Sequence, residues 1–351
     1  MVGEPDTELI VCSRSEERAE KLVSELRSSD SSHAITFAAL DHTSPTLVAQ
    51  LRPLAPDVVI HTAGPFQGQD YRVALACLEC GSHYLDLADG REFVAGFGQL
   101  DEAARDKDLL FVSGASTLPG VSSAVIDHLS QEFSSIQGIE MSIAPGHRTP
   151  RGSGTISAVL SYCGAPFQVW ENGSWVTRYG WHDLRLQRHP ALGRRLSGAC
   201  DVPDLELMPK RANGCETVTF HAALEAWWEH IALWTMGWLT RARVVDDWAK
   251  FTPEFKWLSE KLVSLGSDIG GMQVRVEGLD EQGEPKLRTW YLTARSNHGP
   301  EIPCAPALIL ARKLLRGQIT ARGALPCLGL ITLSEFSDEM SDFDVSWEVV
   351  E

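Results

Sequence analysis

Residues that could carry out acid–base chemistry lie in two polar loops. Arg295 and His298 precede Gly299-Pro300 in one loop, and Asp89 follows an apolar run earlier in the chain. Histidine titrates near neutral pH and can act as a general acid or base, while arginine can hold a substrate carboxylate through two parallel hydrogen bonds. Asp89 could orient a substrate or transfer a proton. Arg295, His298 and Asp89 are therefore the candidate catalytic residues, with purely structural loops as the alternative.

The ends of two other apolar runs suggest a phosphate-bearing cofactor. Ser13-Arg14 ends the first run, and an arginine here suits the 2′-phosphate of NADP, whereas Asp or Glu suits the ribose of NAD. Gly64-Pro65 ends the second run. Glycine lets the backbone approach a cofactor closely, and proline fixes the turn. A solvated arginine and a plain strand-to-helix turn are the alternatives.

Alternating strand-like and helix-like segments must position these residues. The sequence predicts strands over 8–13, 34–40, 57–63, 83–88 and 109–115, and helices over 15–26, 43–51, 70–79, 93–107 and 122–133. Such alternation predicts an α/β fold, a doubly wound parallel sheet covered on both faces. Ligands bind beyond the carboxyl ends of such strands. The strand-end residues here are Ser13, Arg14, Asp41, Gly64, Pro65, Phe66, Asp86, Asp89 and the run 114–120.

The second part of the chain has a different composition. None of the eleven tryptophans precedes Trp170, and ten lie between Trp170 and Trp290. This shift predicts a domain boundary near 138–145. The doubly wound domain would then span 1–138, and a mixed α+β domain, for substrate binding or dimerisation, would span 139–304. A C-terminal helix and tail over 305–351 would pack back on both. Strands are predicted over 141–144, 169–179, 272–279 and 287–294, and a helix over 305–315.

The most apolar long stretch runs from residue 222 to residue 240. Trp227, Ile231, Trp234 and Trp238 share one helical face, while the polar groups of the stretch disfavour a membrane-spanning helix. We expect a helix buried in the core or at a subunit interface. The alternative is a Trp-rich face that touches a membrane surface.

Composition excludes several classes of function. The chain has 351 residues and a net charge of −16, with the hydrophobic content of an ordinary globular protein. An acidic chain is a poor partner for nucleic acid. Its eight cysteines are too sparse for a disulfide scaffold, and the N-terminus does not resemble a signal peptide, so we expect a cytoplasmic protein. Cys77 and Cys80 are interpreted as buried thiols, and we expect no metal site.

Three runs of sequence resemble the saccharopine dehydrogenase-like oxidoreductases: DVVIHTAGPFQGQDYRVALACLECGSHYLDLADG (57–90), VSGASTLPGVSSAVIDHL (112–129) and RTWYLTARSNHGPEIPCAPALILARKLLRG (288–317). The resemblance implies hydride transfer between NADP and a small-molecule substrate, in a cleft between a Rossmann domain and a mixed domain. A homodimer is a further expectation. The cofactor-binding residues expected from the strand ends and the resemblance together are Ser13, Arg14, Asp41, Thr62, Ala63, Gly64, Pro65, Phe66, Gly114 and Ala115.

The Gly-rich loop of a Rossmann domain has no counterpart in this sequence. No G-x-G-x-x-G occurs, and Val2-Gly3-Glu4-Pro5 carries a helix stop signal. We therefore expect that about 20–25 residues of first strand, loop and first helix are absent, which would leave a gap in the sheet and weaken cofactor binding. The alternatives are a disordered acidic N-terminus on another α/β fold and a non-catalytic paralogue that acts as an interaction or membrane-surface protein.

Overall fold

The computed structural model describes residues 7–29, 34–212 and 214–351. The Val2-Gly3-Glu4-Pro5 run lies outside these residues. The first part of the chain contains β1 (Glu8–Ser13), α1 (Glu16–Ser29), β2 (Ala34–Ala39), α2 (Leu47–Leu51), β3 (Val58–His61), α3 (Arg72–Cys80), β4 (His83–Asp86), α4 (Arg91–Ala95), α5 (Asp101–Asp106), β5 (Leu110–Ser113) and α6 (Ser122–Ser130).

The second part begins with a long strand. It contains β6 (Ser135–Ala144), α7 (Ser153–Ser161), β7 (Pro166–Glu171), β8 (Ser174–Tyr179), β9 (Arg185–His189), β10 (Gly193–Ala199), α8 (Asp204–Arg211), β11 (Thr217–Ala223), α9 (Trp227–Arg241), α10 (Thr252–Leu262), β12 (Gly270–Leu279), β13 (Pro285–Ala294), α11 (Ala305–Leu315), β14 (Gly323–Pro326), α12 (Leu333–Glu339) and β15 (Val345–Val350).

The parallel strands of the first part form two separate sheets. One has the order β14-β5-β4-β3, and β1 and β2 form the other. In the Rossmann order 3-2-1-4, the first strand lies between the strands that correspond to β1 and β3. Within the described ranges, no strand occupies that position. The predicted α/β class is confirmed, and the sheet has a gap at its centre.

The second part forms a nine-stranded mixed sheet. Its main path is β15-β13-β12-β6-β11-β10-β9, with β7 and β8 attached to β11. Only β6 and β11 pair in parallel. The predicted domain limit after residue 138 falls inside β6, so the change from one sheet system to the other lies between α6 and β6. After α11, β14 pairs with β5 and β15 pairs with β13, so the C-terminal segment joins both sheet systems.

Two segments that were predicted as single elements are divided in the structure. The helix predicted over 93–107 is divided into α4, a short 3-10 turn and α5. Gly96 and Gly98 lower helix propensity there, and Gly96 packs so tightly that a β-carbon would lie 2.8 Å from the Tyr71 hydroxyl. The strand predicted over 169–179 is the hairpin β7–β8. Its turn residues Asn172 and Gly173 both have positive φ, as a two-residue hairpin turn requires.

The Trp-rich helix α9 differs from the expectation of a core helix. The residues of α9 that are buried are His230, Leu233, Met236 and Gly237. Trp227 is 66% exposed and Trp238 is 45% exposed. The predicted face of tryptophans therefore points largely to solvent, because a neighbouring face of the same helix packs on β10.

Asp204 contributes a pH-dependent term to stability. This residue is fully buried at the start of α8, and Ser122 on α6 donates to its Oδ1, while Oδ2 has no partner. Burial raises the pKa of Asp204 to about 7. The native state therefore binds more protons than the unfolded chain between about pH 4 and pH 7, and stability falls as the pH rises through this window.

We expect Asp204→Asn to remove this dependence. Relative to the parent protein, the variant should gain roughly 2–3 kcal/mol more in unfolding free energy at pH 8 than at pH 5. Chemical denaturation at the two pH values measures the difference. The exposed Asp342→Asn variant is the control and should show no such gain. An equal effect of both substitutions at both pH values would contradict the assignment.

Candidate active site between the domains

The turn after β3 meets the N-terminus of α7. Gly64 and Pro65 are exposed at the carboxyl end of β3, and a β-carbon built on Gly154 would lie 3.6 Å from the Gly64 carbonyl carbon. The two backbones therefore approach each other across the boundary between the sheet systems, with room for about one methyl group between them. One guanidinium nitrogen of Arg151, just before α7, is buried without a hydrogen-bond partner. A bound polar ligand would satisfy such an atom.

Beside this contact, Gln67 joins side chains of both parts of the chain. Its Nε2 donates to Asp89 Oδ1 (3.2 Å) and to Tyr162 Oη (3.0 Å), and its Oε1 is buried without a partner. Desolvation raises the pKa of Asp89 and of Tyr162. Asp89 nevertheless keeps an exposed surface, which places it in a concave, solvent-accessible position. The cluster offers a carboxylate, an amide and a protonated phenol at one place.

The buried carboxylate of Asp86 fixes the neighbouring strand ends. Its Oδ1 accepts hydrogen bonds from the backbone N–H of Gly114 (2.8 Å) and Ala88 (2.9 Å) and from Ser113 Oγ (3.1 Å). Burial raises the pKa of Asp86 to about 6, in opposition to these bonds. Because Asp86 is 0% exposed, it shapes the loops after β4 and β5 and does not face a ligand.

Arg91 ties α4 to the mixed sheet and α8. Its guanidinium donates to Asp201 Oδ1 (3.0 Å), Glu206 Oε2 (2.8 Å) and the Gln168 carbonyl oxygen (2.6 Å). The Arg91 side chain is only 10% exposed, and Trp175 stacks against the guanidinium at 5.5 Å. Desolvation raises the pKa of Asp201, and Arg91 opposes that shift. These bonds hold the two parts of the chain in register at the cleft.

The predicted adenosine end of the cofactor site lies at β1 and β2. Arg14 is exposed, and its guanidinium makes no hydrogen bond or ion pair to any residue that the structure describes. Asp41 accepts from the Thr43 N–H (2.9 Å) and hydroxyl (2.7 Å), and these bonds lower the pKa of Asp41. Ser13 Oγ accepts from the Ser15 N–H. An uncommitted arginine at this strand end fits a phosphate group.

Several other predicted cofactor residues turn out to be buried. The Phe66 ring is 4% exposed and packs 5.4 Å from the Phe93 ring, while Ala115 is 0% exposed and Gly114 is also buried. The φ of Gly114 is +74°, and a β-carbon there would lie 2.6 Å from Pro119 Cδ. These residues shape the cleft wall. Thr62, Gly64 and Pro65 are the exposed members of the group, and Ala63 is half-buried.

Arg295 and His298 lie away from the Gln67 cluster in the hydrogen-bond network. His298 Nδ1 accepts from the Asp344 N–H (2.8 Å), and Arg295 donates to Ser346 Oγ (3.2 Å). In the described part of the chain, neither side chain bonds to Asp89. Their loop follows β13 at the sheet edge where β6 ends, and the next turn, Gly299–Cys304, packs on the turn Thr117–Val121 after β5. The loop therefore adjoins the cleft and remains a predicted substrate contact.

The sequence analysis missed Gln67, Tyr162 and Arg91 as site residues. Gln67 directly follows Gly64-Pro65-Phe66 and could have been included with that run. Tyr162 and Arg91 carry no pattern of their own, because their partners lie 95 and 110 residues away along the chain.

A separate cavity of about 200 Å³ lies against the mixed sheet. Its walls are formed by Gly138, Ile139, Glu140, Glu171, Asn172, Arg185, Thr217, Thr219, Arg275 and Glu277. It contains no residue of the parallel sheets, so it does not serve as the cofactor site. In the described residues, no group of His, Cys, Asp and Glu side chains is arranged to hold a metal ion.

The architecture joins an α/β domain built on parallel strands to a second domain built on a mixed sheet. The structure is similar to apo saccharopine dehydrogenase (L-Glu forming) from Saccharomyces cerevisiae, with a TM-score of 0.68 and 13% sequence identity. The match covers 99% of this chain and 95% of that chain. At this identity the likeness shows the fold alone.

Residues 2–109 match the family model described as the saccharopine dehydrogenase NADP binding domain. This match confirms, for this part of the chain, the resemblance predicted from the sequence. The match supports a nucleotide-binding domain of the dehydrogenase type in residues 2–109.

Other comparisons add less. Two further structures are similar: a mutant of meso-dapdh with DAP from Clostridium tetani (TM-score 0.42, 11% identity, 95% of this chain and 98% of that chain) and a probable dehydrogenase from Thermotoga maritima (TM-score 0.41, 8% identity, 95% and 87%). These scores are too low to carry an argument. No curated protein matches the chain in sequence.

The Arg91 interaction leads to a stability prediction. In Arg91→Met, Asp201 and Glu206 would keep their charges without the buried cation, so we expect a loss of about 2–4 kcal/mol in unfolding free energy. Urea denaturation at neutral pH measures it. Arg105→Met is the control, because Arg105 pairs with Asp101 on an exposed helix surface and such a pair contributes less than about 1 kcal/mol. Equal losses in both variants would contradict a role of Arg91 in joining the domains.

Proposed function

We propose that this protein is an NADP-dependent oxidoreductase that transfers hydride to or from a carbon bearing nitrogen or oxygen in a small-molecule substrate. The observation that carries the proposal is the close approach of Gly64-Pro65 to the start of α7, beside the Gln67–Asp89–Tyr162 cluster. Exposed backbone and titratable side chains meet there at the carboxyl ends of parallel strands, where such folds bind their ligands. The family of residues 2–109 supports NADP as the cofactor.

Tyr162 and Asp89 have complementary roles in this proposal. Because desolvation raises the pKa of Tyr162, the phenol is protonated at neutral pH, and Gln67 already donates to its oxygen. Its O–H is then free to donate to a substrate oxygen or nitrogen. Asp89 accepts a hydrogen bond or a proton from the substrate. When bound, NADP supplies or takes up the hydride, while the protein positions the substrate and moves the proton.

The loop of Arg295 and His298 supplies the remaining substrate contacts. Asn297 Nδ2 donates to the Arg148 carbonyl oxygen (3.5 Å), and its backbone N–H donates to the Asp268 carbonyl oxygen (3.2 Å). The first bond joins the loop to the segment that leads into α7, and the second joins it to the segment before β12. In this proposal Arg295 binds a substrate carboxylate, and His298 gives or takes a proton once its bond to Asp344 is exchanged.

The described residues suit the two ends of an NADP molecule, but they provide no binding group for the pyrophosphate at its centre. Arg14 provides a phosphate partner at the adenosine end, and Gly64-Pro65 provides accessible backbone near the substrate cluster. A pyrophosphate is normally held by a Gly-rich turn at a helix N-terminus after the first strand, and no described residue forms such a turn between β1 and β3. We propose that tight cofactor binding needs a strand, loop and helix in that position.

We expect NADPH to bind more tightly than NADH, by roughly 10–100-fold, if Arg14 holds the 2′-phosphate through charge-assisted hydrogen bonds. Fluorescence titration with both nucleotides measures the preference. Arg14→Glu should abolish the preference and leave NADH binding nearly unchanged. Arg18→Glu, one helical turn further on and also exposed, is the matched control and should keep it.

Two results would count against this proposal. One is an equal loss of NADPH binding in the Arg14→Glu and Arg18→Glu variants, which would show only a general charge effect. The other is an absence of NADPH binding both in this chain and in a version extended by a strand, G-x-G-x-x-G loop and helix. The gap among the described parallel strands favours the competing function, a cofactor-deficient interaction protein, and the second result would support that function.

A further inference from the structure

Exposed apolar side chains are concentrated in one short segment of the mixed domain. Ten of the eighteen large apolar side chains that are exposed in the described residues lie within residues 227–265. They are Trp227, Trp228, Ile231, Trp238, Val244, Phe251, Trp257, Leu258, Val263 and Leu265. We call these ten side chains the Trp-rich surface. Patches of this kind usually mark an interaction site.

Two sets of contacts hold α9 and α10 together beneath this surface. The Trp248 indole N–H donates to the Met236 carbonyl oxygen (3.2 Å) and to Thr240 Oγ1 (3.0 Å), which fixes the turn before α10 on α9. At the other end, His147 Nε2 donates to the Leu262 carbonyl oxygen (2.9 Å), and its ring lies 6.5 Å from that of Trp228. The start of α9 and the end of α10 therefore meet around His147.

The helices beneath the Trp-rich surface are incompletely covered. The described residues of α10 include no fully buried side chain, and Phe255 packs only partly against the core. Trp227 is 66% exposed, Trp257 62% and Leu265 68%. This exposure leaves apolar area that burial in an apolar or interfacial environment would stabilise.

The chemistry of the Trp-rich surface suits a lipid interface. Four of its ten members are tryptophans, and tryptophan favours the headgroup level of membranes because its ring is apolar and its N–H is polar. Lys261 Nζ lies 6.0 Å from the Trp257 ring, and the Arg241 guanidinium lies 4.5 Å from the Trp238 ring. Basic side chains beside apolar rings are typical of helices that lie in the plane of an interface.

The charge distribution also favours a lipid surface over a second copy of this chain. Residues 227–265 contain five basic and five acidic side chains, so the whole net charge of −16 lies outside this segment. In a dimer, two strongly acidic chains would lie close together, and like net charges of this size oppose association. A zwitterionic lipid surface carries no net charge, so it does not repel the acidic remainder of the chain.

We propose that the Trp-rich surface binds the headgroup region of a zwitterionic membrane, with α9 and α10 lying along the interface. No helix in the described parts of the chain has both the length and the apolar character needed to cross a bilayer, so the contact is peripheral. α10 also packs on α7, whose N-terminus lines the cleft. Membrane binding would therefore bring the lipid surface to α10, and α10 contacts α7, the helix that lines the candidate active site.

Flotation with phosphatidylcholine vesicles tests the proposal directly. The full chain should float with the vesicles, and its tryptophan emission should be quenched by brominated phosphatidylcholine. The double variant Trp227→Ser, Trp257→Ser should lower the partition coefficient by roughly tenfold or more, because it removes two large interfacial side chains. Trp175→Ser, a 42% exposed tryptophan outside the segment, is the matched control and should float like the parent. Circular dichroism verifies that each variant is folded.

Two outcomes overturn the proposal. The first is a folded parent protein that stays at the bottom of the gradient with the vesicles. The second is a dimer in sedimentation velocity that the double variant dissociates while flotation stays unchanged, because a second copy would then cover the Trp-rich surface. Neither outcome bears on NADPH binding, so this test is independent of the proposed enzymatic function.

Discussion

The ion pairs of Arg91 with Asp201 and Glu206 fix the geometry on which the candidate site depends. A charge that is nearly removed from water is tolerated only while its partners stay within hydrogen-bond distance. If the domains separated, the carboxylates of Asp201 and Glu206 would lose the Arg91 guanidinium and remain in a partly desolvated region. This constraint keeps α7 against Gly64-Pro65, and it keeps Tyr162 within 3.0 Å of Gln67. The shape of the cleft is therefore set by the fold and does not require a bound ligand.

The gap in the parallel sheet separates the two ends of the cofactor site. β1 and β2 carry Arg14 and Asp41 on one side of the gap, and β3 to β5 carry the substrate end on the other. Other contacts join the two sides, because α2, which follows β2, packs on α3, which follows β3, and Arg72 donates to the Thr43 carbonyl oxygen (2.9 Å). The arrangement keeps both ends of the proposed dinucleotide site, while no described backbone lies where the pyrophosphate would bind.

Much of the parallel domain could be predicted from local sequence, and little of the cleft could. Apolar runs followed by Gly or a polar residue located β1 to β5, because a strand buried on both faces must be apolar throughout. Tyr162 and Arg91 were missed because their partners are distant in sequence and tertiary packing alone brings them together. Phe66 and Ala115 were assigned to the cofactor by their place in a motif, but their side chains are needed in the core. The exposure of Trp227 could not be predicted either. Periodicity shows which residues share a helix face, but it does not show whether that face contacts the core or solvent.

Amide hydrogen exchange with and without NADPH tests the central claim most directly, because it reports on both walls of the cleft at once. The account predicts that NADPH slows exchange together in residues 62–68 and 86–90 of the parallel domain and in residues 152–156 at the start of α7. Slowing confined to the parallel domain, or no slowing at all, would contradict a cofactor and substrate site between the two domains.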